Sequence, residues 1–378
     1  MSPEAPRVPD RNPVPAVPAG IHCAADYEAF ARRKLDAPVY EYIAGGSGED
    51  RTVAANRAAF DTLAILPRLL RELRSGHTRI RLLDRELAHP ILLAPLAFQQ
   101  LVHPRGEAEA AAAAAATDTC IVCSTLASCR LEDLAALAGP QRWFQLYFQP
   151  DRETTLGLVE RAQAAGYGAI VVTLDTPVQT PSLRSLRAGF RLPPTLQPPN
   201  LAGVAAPPQS PLAPGASRIF QGMMSEAPTR DDFAWLLRQT KLPVLAKGVL
   251  RPDDATMLRD LGAAGIVVSN HGGRALDGVP ASLEMLGPVR RALGPGFPLL
   301  VDGGIRSGSD VFKALALGAD AVLVGRLQAY AACVAGALGV AHMIRLLREE
   351  LELCMALSGC ATVPEIDAGM LVATTVET

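Results

Sequence analysis

The stretch from Ala263 to Gly278 reads AAGIVVSNHGGRALDG. A β-branched run ends in Ser269, Asn270 and His271, two glycines follow, and then comes Arg274. Two chemistries suit such a segment: a glycine loop that cradles a phosphate, or a histidine base beside a guanidinium that clamps an anion. Other polar residues end apolar runs elsewhere: Ser124, Gln145 with Tyr147, Thr173 with Asp175, Lys247, Asp302 and Arg326. Residues spaced by two point to one side of a strand, so Gln145 with Tyr147, Thr173 with Asp175, and Ser269 with His271 are expected to line one cavity.

A histidine ending a buried run is often only a hydrogen-bonded core residue, but Asp175 changes that weighting. A carboxylate beside imidazole fixes its tautomer and stabilises its protonated form, which suits a general base. The bland alternative for Asp175 is a helix cap. Arg274 suits bidentate capture of a carboxylate, or else a surface ion pair. Lys247 leaves three uses open: a Schiff base, a phosphate contact, or a cation offsetting negative charge on a cofactor. Further along, DGGIRSGSD and VGRLQ end the last two apolar runs. Gly303, Gly304 and Gly325 permit close backbone approach, and Arg306 and Arg326 add charge-assisted contacts, so these loops are expected to seat a phosphate. That leaves His271 free for chemistry.

Positioning such residues requires a ring of strands. Past residue 90, eight short runs recur at βα spacing: PILLAPLA, TCIVCST, RWFQLYF, AIVVTLD, PVLAKG, GIVVSN, PLLVDGG and AVLVGR. Continuous rather than alternating apolar strands mean burial on both faces, as in a parallel sheet covered by helices. Eight of them predict a closed (β/α)8 TIM barrel, with an open doubly wound sheet as the alternative and the site at the carboxyl ends of the strands. The segment 24–76 reads as helical decoration ahead of the barrel, and Glu349 to Gly359 as a final helix. Residues 193–228, proline-rich and too long for an ordinary connection, are expected to overhang the barrel mouth as a lid loop after strand 4. Residues 1–23 read as a disordered leader, 24–366 as the barrel domain and 367–378 as a C-terminal tail.

A formal charge of -2 and a pI near 6.3 give no global pull toward nucleic acid or acidic lipid. No apolar run approaches the roughly 20 residues of a membrane span. Seven cysteines without disulfide-framework spacing fit a reducing compartment, so a cytoplasmic location is expected. The CxxC of Cys120 and Cys123 lies in an apolar run with no partner motif, which favours core thiols over a metal site.

VYEYIAGGSGED, ILLAPLAFQ, WFQLYF, TLDTP, LAKGV, SNHGGRALDGVPAS, LLVDGGIRSGSDVFKALALGADAVLVGR and ELELCMALSGC, in this order, closely resemble the FMN-dependent 2-hydroxy acid oxidase and dehydrogenase family. The resemblance implies an FMN with Asp302, Gly304, Arg306, Gly325 and Arg326 at its phosphate end. It places Ala94, Ala97, Ser124, Gln145, Thr173, Lys247 and Ser269 near the flavin. Lys247 then stabilises the anionic reduced ring, which displaces the Schiff-base use. His271 resembles the family's base, supported by Asp175; Tyr42 and Arg274 match carboxylate-binding positions, and Tyr147 the tyrosine that meets substrate near the flavin. The implied reaction oxidises a small 2-hydroxy acid to the 2-oxo acid. O2 is the expected electron acceptor, with a quinone or other acceptor as the alternative, and the expected assembly is a homo-oligomer, a tetramer or octamer. No metal is implied.

One departure stands out. Relatives continue the TLDTP strand end with a glycine and two arginines, one of which binds substrate; here VQTPSLRSLRAGF follows and Ser182 falls at that arginine. Arg184 substitutes only if the loop shifts. A weakened or lost turnover is therefore a further alternative, and Leu126, where many relatives carry an aromatic, is a second, softer difference.

Overall fold

The structure, a computed structural model, describes residues 16–204 and 212–374. Eight parallel strands close into a barrel: β1 (Ile91–Leu93), β2 (Ile121–Ser124), β3 (Arg142–Leu146), β4 (Ile170–Thr173), β5 (Val244–Val249), β6 (Gly265–Val268), β7 (Leu299–Asp302) and β8 (Ala321–Val324). They pair in sequence order, β6 hydrogen-bonds β7, and β8 returns to β1. Their Val, Ile and Leu side chains are almost fully buried, because one face fills the barrel and the other meets the helices. The closed ring is therefore the fold, not the open sheet.

Three helices precede the barrel, α1 (Asp26–Lys34), α2 (Ala37–Ala44) and α3 (Arg51–Asp61). The rest follow in order: α4 (Glu107–Ala116), α5 (Leu131–Leu137), α6 (Arg152–Ala164), α7 (Leu183–Arg187), α8 (Arg230–Leu237), α9 (Pro252–Leu261), α10 (Ser282–Leu293), α11 (Gly308–Ala316) and α12 (Arg326–Ser358). Proline opens α9 at its first turn and Gly262, in the left-handed region, ends it.

The closing helix is longer than the sequence suggests. It begins directly after β8 and breaks only at Ala335 and Gly336. Lys34 Nζ caps the first half through the Cys333 carbonyl at 2.7 Å, and Glu109 accepts the Ala337 N–H that starts the second half. Such capping satisfies the backbone groups that the kink frees. By length and composition α12 could cross a membrane, contrary to the expectation of no such run, yet most of its apolar stretch is buried against the barrel's other helices.

The leader expected over 1–23 falls mainly on residues outside those described; within the described part Ile21 already packs into the core. The tail expected over 367–378 carries a short strand, Leu371–Ala373, paired antiparallel with Leu63–Ile65. Of the 193–228 connection, Leu201 and Glu226 to Pro228 line the barrel mouth.

Candidate active site

A cavity of about 490 Å³ opens at the carboxyl ends of the strands, within the range of small-molecule and cofactor sites. Its walls carry Tyr42, Ala94, Ala97, Ser124, Gln145, Tyr147, Thr173, Lys247, His271, Arg274, Asp302, Arg306, Gly325 and Arg326. Residues from α2, from seven of the eight strand ends and from the loop after β6 are thus brought together.

Three of the expected residues stand behind the wall. Asp175 accepts a hydrogen bond from His271 Nδ1 at 3.0 Å. Ser269, fully buried, takes a hydrogen bond from Lys247 Nζ at 2.9 Å and from the His271 N–H at 3.0 Å. Gly304, at φ +82°, turns against Asn56, where a methyl group would collide with the Asn56 carbonyl. The two-residue alternation therefore fails for Ser269 with His271 and for Thr173 with Asp175, and holds for Gln145 with Tyr147. β6 ends at Val268 and His271 adopts a left-handed backbone, φ +60°, so strand geometry no longer decides its direction. For a non-glycine residue this conformation stores roughly 1–3 kcal/mol, and it persists only where surrounding bonds enforce it.

At one end of the cavity lies a catalytic constellation. Burial alone would raise the Asp175 carboxyl, but His271 and then Lys247 outweigh it and hold its pKa below the ordinary value. With Nδ1–H donated to that carboxylate, Nε2 is the free basic nitrogen; this tautomer follows from the partner. Arg274 donates to the carbonyls of Tyr42 at 2.8 Å and Gly45 at 3.0 Å. Its guanidinium also stacks over the Tyr42 ring, which stacks in turn on Phe190 with centroids 4.2 Å apart. The clamp is therefore rigid, and its charge has no carboxylate partner among the described residues. Burial raises the pKa of Tyr147 against the opposing pull of Lys247, keeping its hydroxyl a proton donor.

Along the floor, Ser124 Oγ donates to Gln145 Oε1 at 3.2 Å and Gln145 Nε2 donates to Thr173 Oγ1 at 3.1 Å, a polar rail across β2, β3 and β4. Lys247 lies beside it, 3.0 Å from Asp302. Burial opposes its charge, but Asp302 and Asp175 more than compensate, raising its pKa above the ordinary value. A Schiff-base lysine needs the opposite shift, which removes that use. Asp302, grouped by the sequence with the phosphate residues, spends one carboxylate oxygen on Lys247 and keeps the other toward the cavity it lines.

Beside the Arg274 clamp the cavity is cationic, with Arg326 sharing the Gly45 carbonyl with Arg274. Arg326 donates to the carbonyls of Ile43, Gly45 and Gly272 at 2.8–3.0 Å. Desolvation, then repulsion from Arg274 and Arg306, pull its pKa down to about 10. Three guanidiniums gather around one cavity, with only Glu28, 3.9 Å from Arg306, as an acid partner among the described residues, and that excess of positive charge suits an anion. The buried Asp302 Oδ1 has no hydrogen-bond partner among the described residues. An FMN fits these demands: a phosphate for the arginines and hydroxyls or ring edges for the interior polar groups.

The substrate-loop departure has a structural reading. Ser182 caps α7 by accepting the Ser185 N–H at 3.2 Å and bridges to Gly48. Arg184 is held by Glu41 and Asp50. Neither lines the cavity, and Gln179 occupies that wall. Sequence reasoning also missed Asn56; the available signal was a polar side chain on the buried stripe of α3.

Residues 31–373 match the family described as FMN-dependent dehydrogenase. The L-lactate oxidase of Alicycliphilus denitrificans is 58% identical over 355 residues, covering 94% of this chain and 97% of that protein. An L-lactate oxidase of Roseobacter sp. is 49% identical over 347 residues, covering 92% and 94%. Among solved structures, mandelate oxidase with benzoyl-formic acid superposes with a TM-score of 0.84 at 41% identity, covering 93% of this chain and 98% of that one.

Proposed function

The chain belongs to the FMN-dependent dehydrogenase family, and from that premise we propose that its substrate is a short aliphatic L-2-hydroxy acid of the lactate class. It is an FMN-dependent 2-hydroxy acid oxidase, converting the hydroxy acid to the 2-oxo acid with O2 as electron acceptor. The observation that carries the reading is the His271–Asp175 pair and the Arg274 guanidinium in one cavity.

Bound FMN supplies the two-electron acceptor, which passes its electrons to O2. Arg306 and Arg326 would hold its phosphate, and Ala94, Ala97, Gln145, Thr173 and Lys247 would meet the rest. Arg274 takes the substrate carboxylate, with Tyr42 beneath it fixing the guanidinium plane. Tyr147 donates its hydroxyl to substrate oxygen. His271 Nε2 removes the substrate's proton, and the Asp175 carboxylate stabilises the imidazolium that results. Lys247, kept an ammonium by Asp302 and Asp175, places fixed positive charge where electrons arrive.

The preference for a small side chain is supported by the two L-lactate oxidases at 58% and 49% identity and by a wall of Phe98, Leu126 and Leu201. We also propose a cytoplasmic homo-oligomer, a tetramer or octamer. Seven free thiols support the compartment, and exposed Leu69, Leu70, Leu353 and Leu357 support association. Solution mass measurement tests the assembly.

The test of function is anaerobic addition of L-lactate, glycolate and mandelate to the FMN-loaded protein. L-lactate is expected to bleach the flavin fastest, and air to restore its colour rapidly. A yellow protein that none of the three bleaches contradicts the reading, and slow reoxidation by air would point to a different acceptor.

A further inference from the structure

Asn56 belongs to α3, ahead of the barrel, and is almost fully buried. Its side-chain amide meets that of Asn270, the residue before His271, in a reciprocal pair. Asn56 Nδ2 donates to Asn270 Oδ1 and Asn270 Nδ2 donates to Asn56 Oδ1, both at 2.8 Å. Each amide also ties down a neighbouring turn. Asn270 Oδ1 accepts the Gly273 N–H at 3.1 Å, and Asn270 Nδ2 reaches the Pro280 carbonyl at 3.0 Å. Asn56 Oδ1 accepts the Ser282 N–H at 3.2 Å, fixing the start of α10.

The other side of Asn56 faces the glycine loop after β7. A side chain at Gly303 would come within 3.3 Å of the Asn56 side-chain amide, and one at Gly304 would strike the Asn56 backbone carbonyl. A single residue outside the barrel thus touches both the turn that carries the base and the turn beside the anion seat. Buried amides are held to such reciprocal geometry because every unpaired donor or acceptor there costs free energy. The left-handed His271 backbone needs an enforcing neighbourhood, and this pair sits one residue away.

We propose that Asn56 is a positioning residue for the reaction, its side-chain amide acting through Asn270 to set His271 and through Gly303 to seat the cofactor's anionic end. The inference rests on the reading of His271 as the base. It differs from a purely structural role in what it does to the folded, loaded enzyme.

Anaerobic rapid mixing of FMN-saturated Asn56→Ala, Asn270→Ala and the double variant with substrate tests it, with thermal midpoints and FMN dissociation constants measured alongside. The limiting rate of flavin reduction is expected to fall at least about ten-fold in each single variant. The substrate concentration for half-saturation should move less than about three-fold, because Arg274 is held by Tyr42 and Gly45 instead. Since the two amides act as one unit, the double variant should be little slower than either single. Asn56→Ala should also bind FMN about five-fold or more weakly. Asn56→Ser, which keeps a small uncharged side chain able to donate and accept, provides a milder variant should alanine compromise folding. A lowered midpoint with the limiting rate within two-fold of wild type and unchanged FMN affinity would overturn the proposal. Should the wild type itself resist reduction by every hydroxy acid, the functional reading fails, and the FMN dissociation constants still decide the Asn56 contact to the seat.

Discussion

Two histidines stand at opposite ends of the same barrel. His271 follows β6 at the carboxyl rim, partly exposed to the cavity, with a carboxylate on Nδ1 and a free Nε2. His89 precedes β1 at the amino rim, almost fully buried, with Nε2 against Thr119 Oγ1 at 3.0 Å and Nδ1 accepting the Ile91 N–H at 3.2 Å. Burial, aided by Arg348, pushes the His89 pKa down to about 4. The difference is one of partners and access: one ring is built to gain a proton from outside, and the other is plugged on both nitrogens and held neutral. In this architecture the carboxyl rim carries chemistry and the amino rim carries stability.

The sharpest way to break that comparison is His271→Asn, since asparagine tolerates the left-handed backbone and removes the base. The flavin should remain bound while its anaerobic reduction slows by roughly 10²–10⁴-fold. Asp175→Asn should come next, slowing reduction by about 10²-fold, because an amide facing Nδ1 can donate and so favour the wrong tautomer. Arg274→Lys loses the fork that meets a carboxylate and its stacking on Tyr42, and kcat/KM in steady-state assays should drop by about 10–100-fold.

His89→Gln should leave reduction rates unchanged and alter acid stability instead. Between pH 6.5 and about 4 the unfolded chain binds a proton at His89 that the folded chain does not. Wild-type stability therefore falls as pH drops through that window, by up to about 3 kcal/mol from this group, and denaturant titrations of the variant should lack that component. Smallest of all is Arg184→Gln. With its guanidinium already committed to Glu41 and Asp50, kcat/KM should stay within about five-fold of wild type.

Much of the rim was legible in the sequence because its signals are local. The eight barrel strands are short buried runs that end in polar residues, and the glycines beside Arg306 and Arg326 announce close backbone approach without any tertiary information. What the sequence hides depends on contacts across long separations. Asn56 meets Asn270 across 214 positions, and nothing near either residue signals the other. Arg184 looks available for substrate until Glu41 and Asp50 are seen to hold it. Asp302 reads as part of a phosphate loop, yet the cation it pairs with comes from β5. His271 leaves its strand before the alternation rule can place it, so its direction came from Ser269, Asp175 and the left-handed turn. The fusion of the closing helix was invisible because its break lies at an Ala–Gly step in a run of small residues.

A crystal structure of the FMN-loaded protein with a bound 2-oxo acid tests the central claim most directly. The account predicts the acid's carboxylate on the Arg274 guanidinium and its 2-oxygen within hydrogen-bond distance of His271 Nε2, both on one side of the flavin ring whose phosphate meets Arg306 and Arg326. An acid bound away from His271, or a flavin phosphate seated elsewhere in the cavity, would contradict it.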